Sequence, residues 1–569
     1  ARPAQSLRDS PNKTTPPLCK MQGAARGRKK KGAFSMKKAM KKLMAALLAV
    51  AMVCAMAIPA FADGTGSNTL TINGTTDGHT YEAYQVFTGD LKGSVLSNIV
   101  WGDGVDGAAI LADSELPATL SGTSRATSAA ELAARLEGLP SNSDDINTFA
   151  KVVSKHLHVS AKHISTASGK TYTISNLPDG YYFIKDATDI MPEGATYSRY
   201  MLNIVTNLAI NAKDTTVTLD KEIQHNETGE WGVVGDNQIG DTVKFRTITT
   251  VPDTTGYTDY TYEIHDTMSP ELTSNVKTKS DITIKVNDTT VLDAAYYSVT
   301  VDPTNSNKFT VFVDIIQAIK DNKFAVGNKL YTYYTGVLNE NAKVYPDGPQ
   351  QNEAHLVYSN NPNDGGTGKT PDQTVYDWTF KVDMTKVDGN DKTKTLEGAV
   401  FVLSEKSGLD LEPVKDGTPT ENLDKLIKLV DNHNGTYTVA NTTTTTATIY
   451  TMTTPTDGKI SIKGLDDEKE YYLYETKAPG GYNVLTAPVK IKITNNTYNL
   501  IGNQIVNQPN VEVNGRNAYS GVGFEVENNV GTTLPGTGGI GTTIFYVIGG
   551  GLMVAAAILL ITKKRMENH

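Results

Sequence analysis

Two lysines stand where lysines are costly. In Val217-Thr218-Leu219-Asp220-Lys221-Glu222-Ile223 the odd positions read Val, Leu, Lys, Ile, and further on Phe380, Val382, Met384 and Lys386 alternate with polar residues. A period of two marks a strand with one face turned to a core, so each pattern drives a lysine into an apolar row. A charged ammonium there loses its hydration, so the amine is either neutral, with a depressed pKa, or consumed by a reaction. Other residues break pattern in the same way. Tyr260, Tyr262 and Ile264 end in Asp266, and Asn352 heads Ala354, Leu356 and Tyr358. Leu473 shares a face with Glu475, and Val522, Phe524 and Val526 end in Asn528. Lysine, carboxyl and asparagine therefore recur twice, in that order.

That trio has a chemical use. A desolvated neutral amine can attack the carboxamide carbon of Asn, while an acid kept protonated by the same apolar surroundings polarises the carbonyl and passes protons to the departing ammonia. The product is an isopeptide bond, expected between Lys221 and Asn352 with Asp266 as the acid, and between Lys386 and Asn528 with Glu475. Each bond is expected to tie the first strand of a unit to its last. Asn360 and Asn529 are rival acceptors, and snorkelling lysines beside ordinary strand-end polar residues are the plainer alternative.

The elements that must hold these groups read as β. Tyr, Thr, Val and Ile lie in short alternating runs broken by Gly, Asn, Asp and Pro, the pattern of sandwich domains. Three units are expected: 63–213, 214–364 and 375–531, with Asn360 to Gly366 as a linker and Thr442 to Thr446 as an exposed loop or edge. The first unit carries a small helical insert. Ser128 and Glu131 form a capping box ahead of Leu132, Ala133 and Leu136, Gly138 stops that helix, and a second is expected from Ile146 to His156.

The ends carry addresses. Residues 1–35 read as upstream sequence or an extended leader. Residues 36–62 have a basic start (Lys37, Lys38, Lys41, Lys42), a short apolar run and the exit Ala60-Phe61-Ala62, as a secretory signal peptide does. Cys19 and Cys54, the only two cysteines, both fall in segments expected to be removed, so the exported protein needs a staple other than a disulfide. Residues 532–569 hold Leu534-Pro535-Gly536-Thr537-Gly538, then an uncharged apolar span from Gly541 to Thr562, then Lys563, Lys564 and Arg565. The length suits a membrane helix and the charges place its end in the cytoplasm. The net charge of −9 disfavours nucleic acid as a partner.

Motif, apolar span and basic tail in this order resemble the cell-wall sorting signal read by sortases. Tyr471-Tyr-Leu473-Tyr-Glu475-Thr476-Lys-Ala478-Pro479-Gly-Gly481-Tyr482 matches the pilin E-box at every fixed position. With Lys386-Val387-Asp388 and Leu396-Glu-Gly398-Ala399-Val-Phe401, it resembles the Cna B-type domain of major pilins. Gly240-Asp241-Thr242-Val243-Lys244-Phe245, Asp266-Thr-Met-Ser269 and Asn352-Glu-Ala354 give the second unit the look of an isopeptide-forming fimbrial domain.

The chain thus resembles the shaft subunits of sortase-assembled Gram-positive pili. The resemblance implies tandem Ig-like or Cna-type sandwiches, and the isopeptide roles already assigned. It implies a sortase thioester at Thr537, with Gly538 onward left in the membrane. It also implies an acceptor lysine near the end of the first domain, here Lys213, although the usual Tyr-Pro before that lysine is missing from Leu208-Ala209-Ile210-Asn211-Ala212-Lys213.

Implied partners are a pilus-specific and a housekeeping sortase, further copies of the chain, minor pilins, peptidoglycan, and host matrix or mucus. The competing reading is a monomeric wall-anchored adhesin. No cofactor or metal is expected: His156, His158 and His163 lack a suitably spaced carboxylate. No enzyme activity is expected beyond isopeptide formation itself, since no nucleophile–base motif or phosphate loop is present.

Overall fold

The structure is a computed structural model that describes residues 67–531 and 541–567. It leaves out short internal stretches at 123, 142, 192–193, 214–215, 364, 412–415, 443, 445, 495–499, 502–503, 506–508 and 520–522. The chain divides into two units, 1–65 and 66–569, and only the second falls within the described residues. The expected leader and signal peptide, Val522 and the whole of Leu534-Pro535-Gly536-Thr537-Gly538 lie outside them.

The fold is all-β, with sandwich modules and a helical cluster inserted between early strands. In the first module one sheet runs in the order Thr166–Ser168, Thr171–Leu177, Asn68–Asn73, Leu208–Asn211, so the first and last strands are parallel neighbours. The other sheet is built on Tyr81–Lys92 and Gly180–Asp186. Both faces of that pair are covered. Tyr81, Ala83, Tyr182 and Ile184 pack with Leu70 and Ile72, whereas Val86, Phe87 and Phe183 pack under the helices with Leu132, Phe149 and Val153. Burial on both faces explains why this stretch does not alternate cleanly in sequence.

The expected helices form, with two short ones before them. Gly107–Ala112 and Ala118–Ser121 precede Ala129–Leu136 and Asp144–Lys155. Ser128 Oγ accepts from Glu131 N–H, and Glu131 reaches back to Thr127 N–H. Ser143 caps the last helix.

In the second module Leu219–Gln224, Thr242–Thr250 and Lys329–Leu338 lie side by side in one sheet. Tyr262–Met268 pairs with Gln350–Ser359 in the facing one. The expected linker does not lead out of this module. Asn360 N–H donates to Gly366 O, the chain turns back, and Thr367–Lys369 and Gln373–Trp378 add to the same sheet against Gln350–Ser359. A tight turn and a linker draw on the same Asn, Gly and Pro, which is why the sequence could not separate them.

The next set of strands starts at Phe380. Phe380–Asp388 lies between Lys459–Leu465 and Gly523–Asn528 in one sheet, and Val400–Ser404 pairs with Glu470–Lys477 in the other. Apolar packing is continuous from Val217 to Val526 across the last two modules. At the handover Thr379 is buried and donates through Oγ1 to Leu465 O at 3.0 Å. Beyond the sandwiches, an exposed helix, Gly541–Met566, is long and apolar enough to cross a membrane from Thr543.

Candidate functional site

Every described member of the six inward rows lies where period two put it. Lys221 is 3 % exposed and Lys386 0 %, and the apolar residues that flank them are buried as well. The two trios close by different routes.

In the second module Lys221 comes from one sheet, and Asp266 and Asn352 from neighbouring strands of the facing sheet. Lys221 Nζ donates to Asp266 Oδ2 at 2.5 Å, both side chains wholly buried. It also donates to the hydroxyl of Tyr334, which donates in turn to Asp266. The rings of Tyr334 and Phe245 lie 5.1 and 5.7 Å from the amine. Burial lowers the Lys221 pKa, only partly opposed by Asp266. Burial also raises that of Asp266, against the opposing influence of Lys221, Tyr334 and Asn352. Both shifts favour the uncharged pair, the amine and acid that attack on a carboxamide requires. Asn352 is 1 % exposed, and neither of its side-chain polar atoms makes a well-formed hydrogen bond. A buried unsatisfied amide costs about 1–3 kcal/mol. Reaction would consume the buried amine and release the unpaired Nδ2 group as ammonia.

In the third module Lys386 and Asn528 stand on parallel neighbours, with Lys386 opposite Val526 and Asp388 opposite Asn528. Glu475 reaches in from the other sheet, where it pairs with Phe401. Lys386 Nζ donates to Asn528 Oδ1 and lies 3.2 Å from Glu475 Oε1. Asn528 Nδ2 donates to both Glu475 oxygens at 3.0 Å and to Asn483 O at 3.0 Å. The amine thus sits at the carbonyl end, and the carboxyl group at the nitrogen that would leave as ammonia. Leu485 N–H holds Glu475 Oε2 at 2.8 Å, and the Phe401 ring lies 5.5 Å from the amine. Burial lowers the Lys386 pKa, again opposed by Glu475.

The rival acceptors are elsewhere. Asn529 is exposed and Asn360 sits half-buried in the 360–366 turn. Lys213, just past the last strand of the first module, is half-buried, with its amine 5.2 Å from the centre of the Tyr200 ring. Its backbone N–H donates to Tyr200 Oη at 2.7 Å. Burial lowers its pKa, opposed by Asp253, which enlarges the neutral, nucleophilic fraction. Among the described residues of the first module no lysine is buried. His156 pairs with Asp113 and His158 with Asp103 O, so those two histidines turn to different partners.

The sequence reading missed Tyr334. It lies in a buried row with Leu330 and Thr332, and a core tyrosine is too common to mark a site. Asn483 O and Leu485 N–H act through the backbone and leave no side-chain signal.

A match to the family described as "SpaA: Prealbumin-like fold domain" covers residues 380–508, and one to the "LPXTG cell wall anchor motif" covers 526–568. No curated protein matches the chain. Among solved structures, the full-length major pilin SpaD of Corynebacterium diphtheriae is similar at 17% identity and a TM-score of 0.46, over 84% of this chain and 100% of that one. The T6 backbone pilin of serotype M6 Streptococcus pyogenes gives 17% and 0.47 over 83% and 100%. BcpA, the major pilin subunit of Bacillus cereus, gives 15% and 0.43 over 82% and 99%.

The anchor match encloses Leu534 to Gly538 and runs through the exposed apolar helix to its basic end. The chain is a cell-wall-anchored surface protein whose precursor is held transiently at the membrane. It is built of β-sandwich modules, one of them SpaA-type.

Proposed function

We propose that this protein is the backbone subunit of a covalently polymerised, sortase-assembled pilus, stabilised by a Lys221–Asn352 and a Lys386–Asn528 isopeptide bond. The observation that carries the reading is the pair of buried Lys–acid–Asn clusters in successive modules ahead of a wall anchor. A chain that must transmit load along its length gains from internal covalent staples, whereas a monomeric adhesin needs a ligand surface. In each bond the Lys amine attacks the Asn carboxamide carbon, the C–Nδ2 bond breaks, and one ammonia leaves with protons relayed by Asp266 or Glu475. The modules are 67–213, 216–378 and 380–531, the second extended to Trp378 by the strands after the turn. A sortase takes Thr537 as a thioester, and Lys213 of the next copy resolves it, its amine made more nucleophilic by partial burial. Minor pilins, peptidoglycan, and host matrix or mucus are the further partners of such a shaft.

An immunoblot of wall extract tests the reading. The native protein gives a ladder of high-mass species, Lys213→Ala gives only wall-attached monomer, and Thr537→Ala gives neither. A single monomer band from the native protein would return the adhesin reading.

A further inference from the structure

Four carboxylates that lie far apart in sequence meet where the second and third modules join. Glu227 follows the strand Leu219–Gln224, and Asp236 ends the short strand Val234–Asp236. Asp466 and Asp467 occupy the turn between Lys459–Leu465 and Glu470–Lys477. One oxygen from each lies within 4.8 Å of the others. Asp236, Asp466 and Asp467 are at most 1 % exposed, so solvent does little to screen their charges.

The cations nearby do not balance this group. Lys469 Nζ is 4.0 Å from Asp466 Oδ2 but closer to Asp241 and Glu405, at 3.4 and 3.2 Å. His225 lies 3.1 Å from Glu227 and 3.3 Å from Asp236 and carries charge only when protonated. Asp377, also buried, stands beside Asp236 in the adjoining ladder and adds a further carboxyl.

An independent sign is an orphaned oxygen. Asp466 Oδ2 accepts from Asn226 Nδ2 at 2.6 Å, but Oδ1 is buried without a hydrogen-bond partner. Leaving such an acceptor bare is expensive, and several buried anions together more so.

We propose that this junction is a divalent-cation site of the calcium class, with Glu227, Asp236, Asp466 and Asp467 as its protein ligands. An all-oxygen, carboxylate-rich set suits a hard cation, and the lack of cysteine with only one adjacent histidine disfavours zinc. Ligands at about 2.3–2.6 Å from one ion lie within the mutual spacing seen here. Two ligands come from each module, so the ion clamps the junction without a covalent bond. The wall anchor puts the site outside the membrane, where extracellular calcium modules work at about 10⁻⁴–10⁻³ M.

The test uses the full chain, purified in detergent and stripped with EDTA. Tb³⁺ provides a probe, because Tyr471 Oη accepts from Asp466 N–H at 2.8 Å and its ring is placed to sensitise a bound lanthanide. The expected result is Tb³⁺ luminescence displaced by millimolar Ca²⁺, and a Ca²⁺-dependent rise in the melting temperature. The double variant Asp236→Asn, Asp466→Asn is expected to melt no lower than the parent in EDTA, since it relieves repulsion, and to lose both responses. No Tb³⁺ signal and no Ca²⁺ shift in the parent would overturn the proposal. So would responses that survive unchanged in the double variant. If that variant fails to fold, Glu227→Gln, at the exposed edge, must weaken Ca²⁺ at least tenfold, and unchanged affinity would overturn it.

Discussion

The second and third modules contain the same three residue types but place them differently. In the third, Lys386 and Asn528 are on adjacent parallel strands of one sheet, the strands by which the chain enters and leaves the sandwich. In the second, Lys221 and Asn352 lie in opposite sheets, and Asn352 is not on the last strand: Thr367–Lys369 and Gln373–Trp378 follow it. A Lys386–Asn528 bond would therefore join the first and last strands of the third module, whereas a Lys221–Asn352 bond would leave two strands of the second module beyond it. The surroundings differ as well. The third site directs a carboxyl at the leaving nitrogen, while the second engages its acid with the amine and a tyrosine hydroxyl. The same three residue types are thus assembled on two scaffolds, and what a bond at each site would do for a chain under tension depends on which strands it would join.

The largest effect that would test this comparison comes from removing the acids. The parent protein should weigh two ammonia molecules less than its sequence. Glu475→Ala should restore one and Asp266→Ala the other, read by intact-mass measurement. Each loss opens a loop of about 130–140 residues, and by analogy with a disulfide the chain-entropy contribution is roughly 5 kcal/mol. Calorimetry and trypsin digestion should show the damage confined to the module affected. A parent protein at full unmodified mass would end both assignments.

Pulling the chain end to end should separate the two scaffolds. The third module should release almost no hidden length, because its staple joins entry and exit strands. The second should release residues 353–378, a gain of at most about 90 Å at ~3.5 Å per residue. Equal lengths from the two modules would contradict the difference in geometry.

A smaller effect is expected from Tyr334→Phe, which removes one hydrogen bond to Asp266 worth about 1–1.5 kcal/mol. Closure of the second staple should slow roughly tenfold, leaving a mass mixture in freshly made protein, while the third closes as before. The smallest effect belongs to the rival acceptors: Asn360→Ala and Asn529→Ala should leave the mass deficit at two ammonia molecules. A variant that loses one would move the acceptor to that position.

Much of this was legible in the sequence, and particular residues show why. Alternation with period two placed Lys221, Lys386, Asp266, Asn352 and Asn528 inward, and a strand's faces are a property of the strand itself. Ser128 and Ser143 caps and the apolar helix ahead of Lys563 are likewise local. Period two does not say which strand is the neighbour or which sheet lies opposite. That Lys386 and Asn528 stand on neighbouring strands of one sheet, while Lys221 and Asn352 stand on opposite sheets, was therefore decided only by tertiary structure. So was the fate of 360–366, whose residues suit a turn and a linker equally. Tyr334 and the meeting of Glu227 and Asp236 with Asp466 and Asp467 had no sequence signal at all. Their proximity arises from two sandwiches packing end against end, and the carboxylates on either side are more than 200 positions apart.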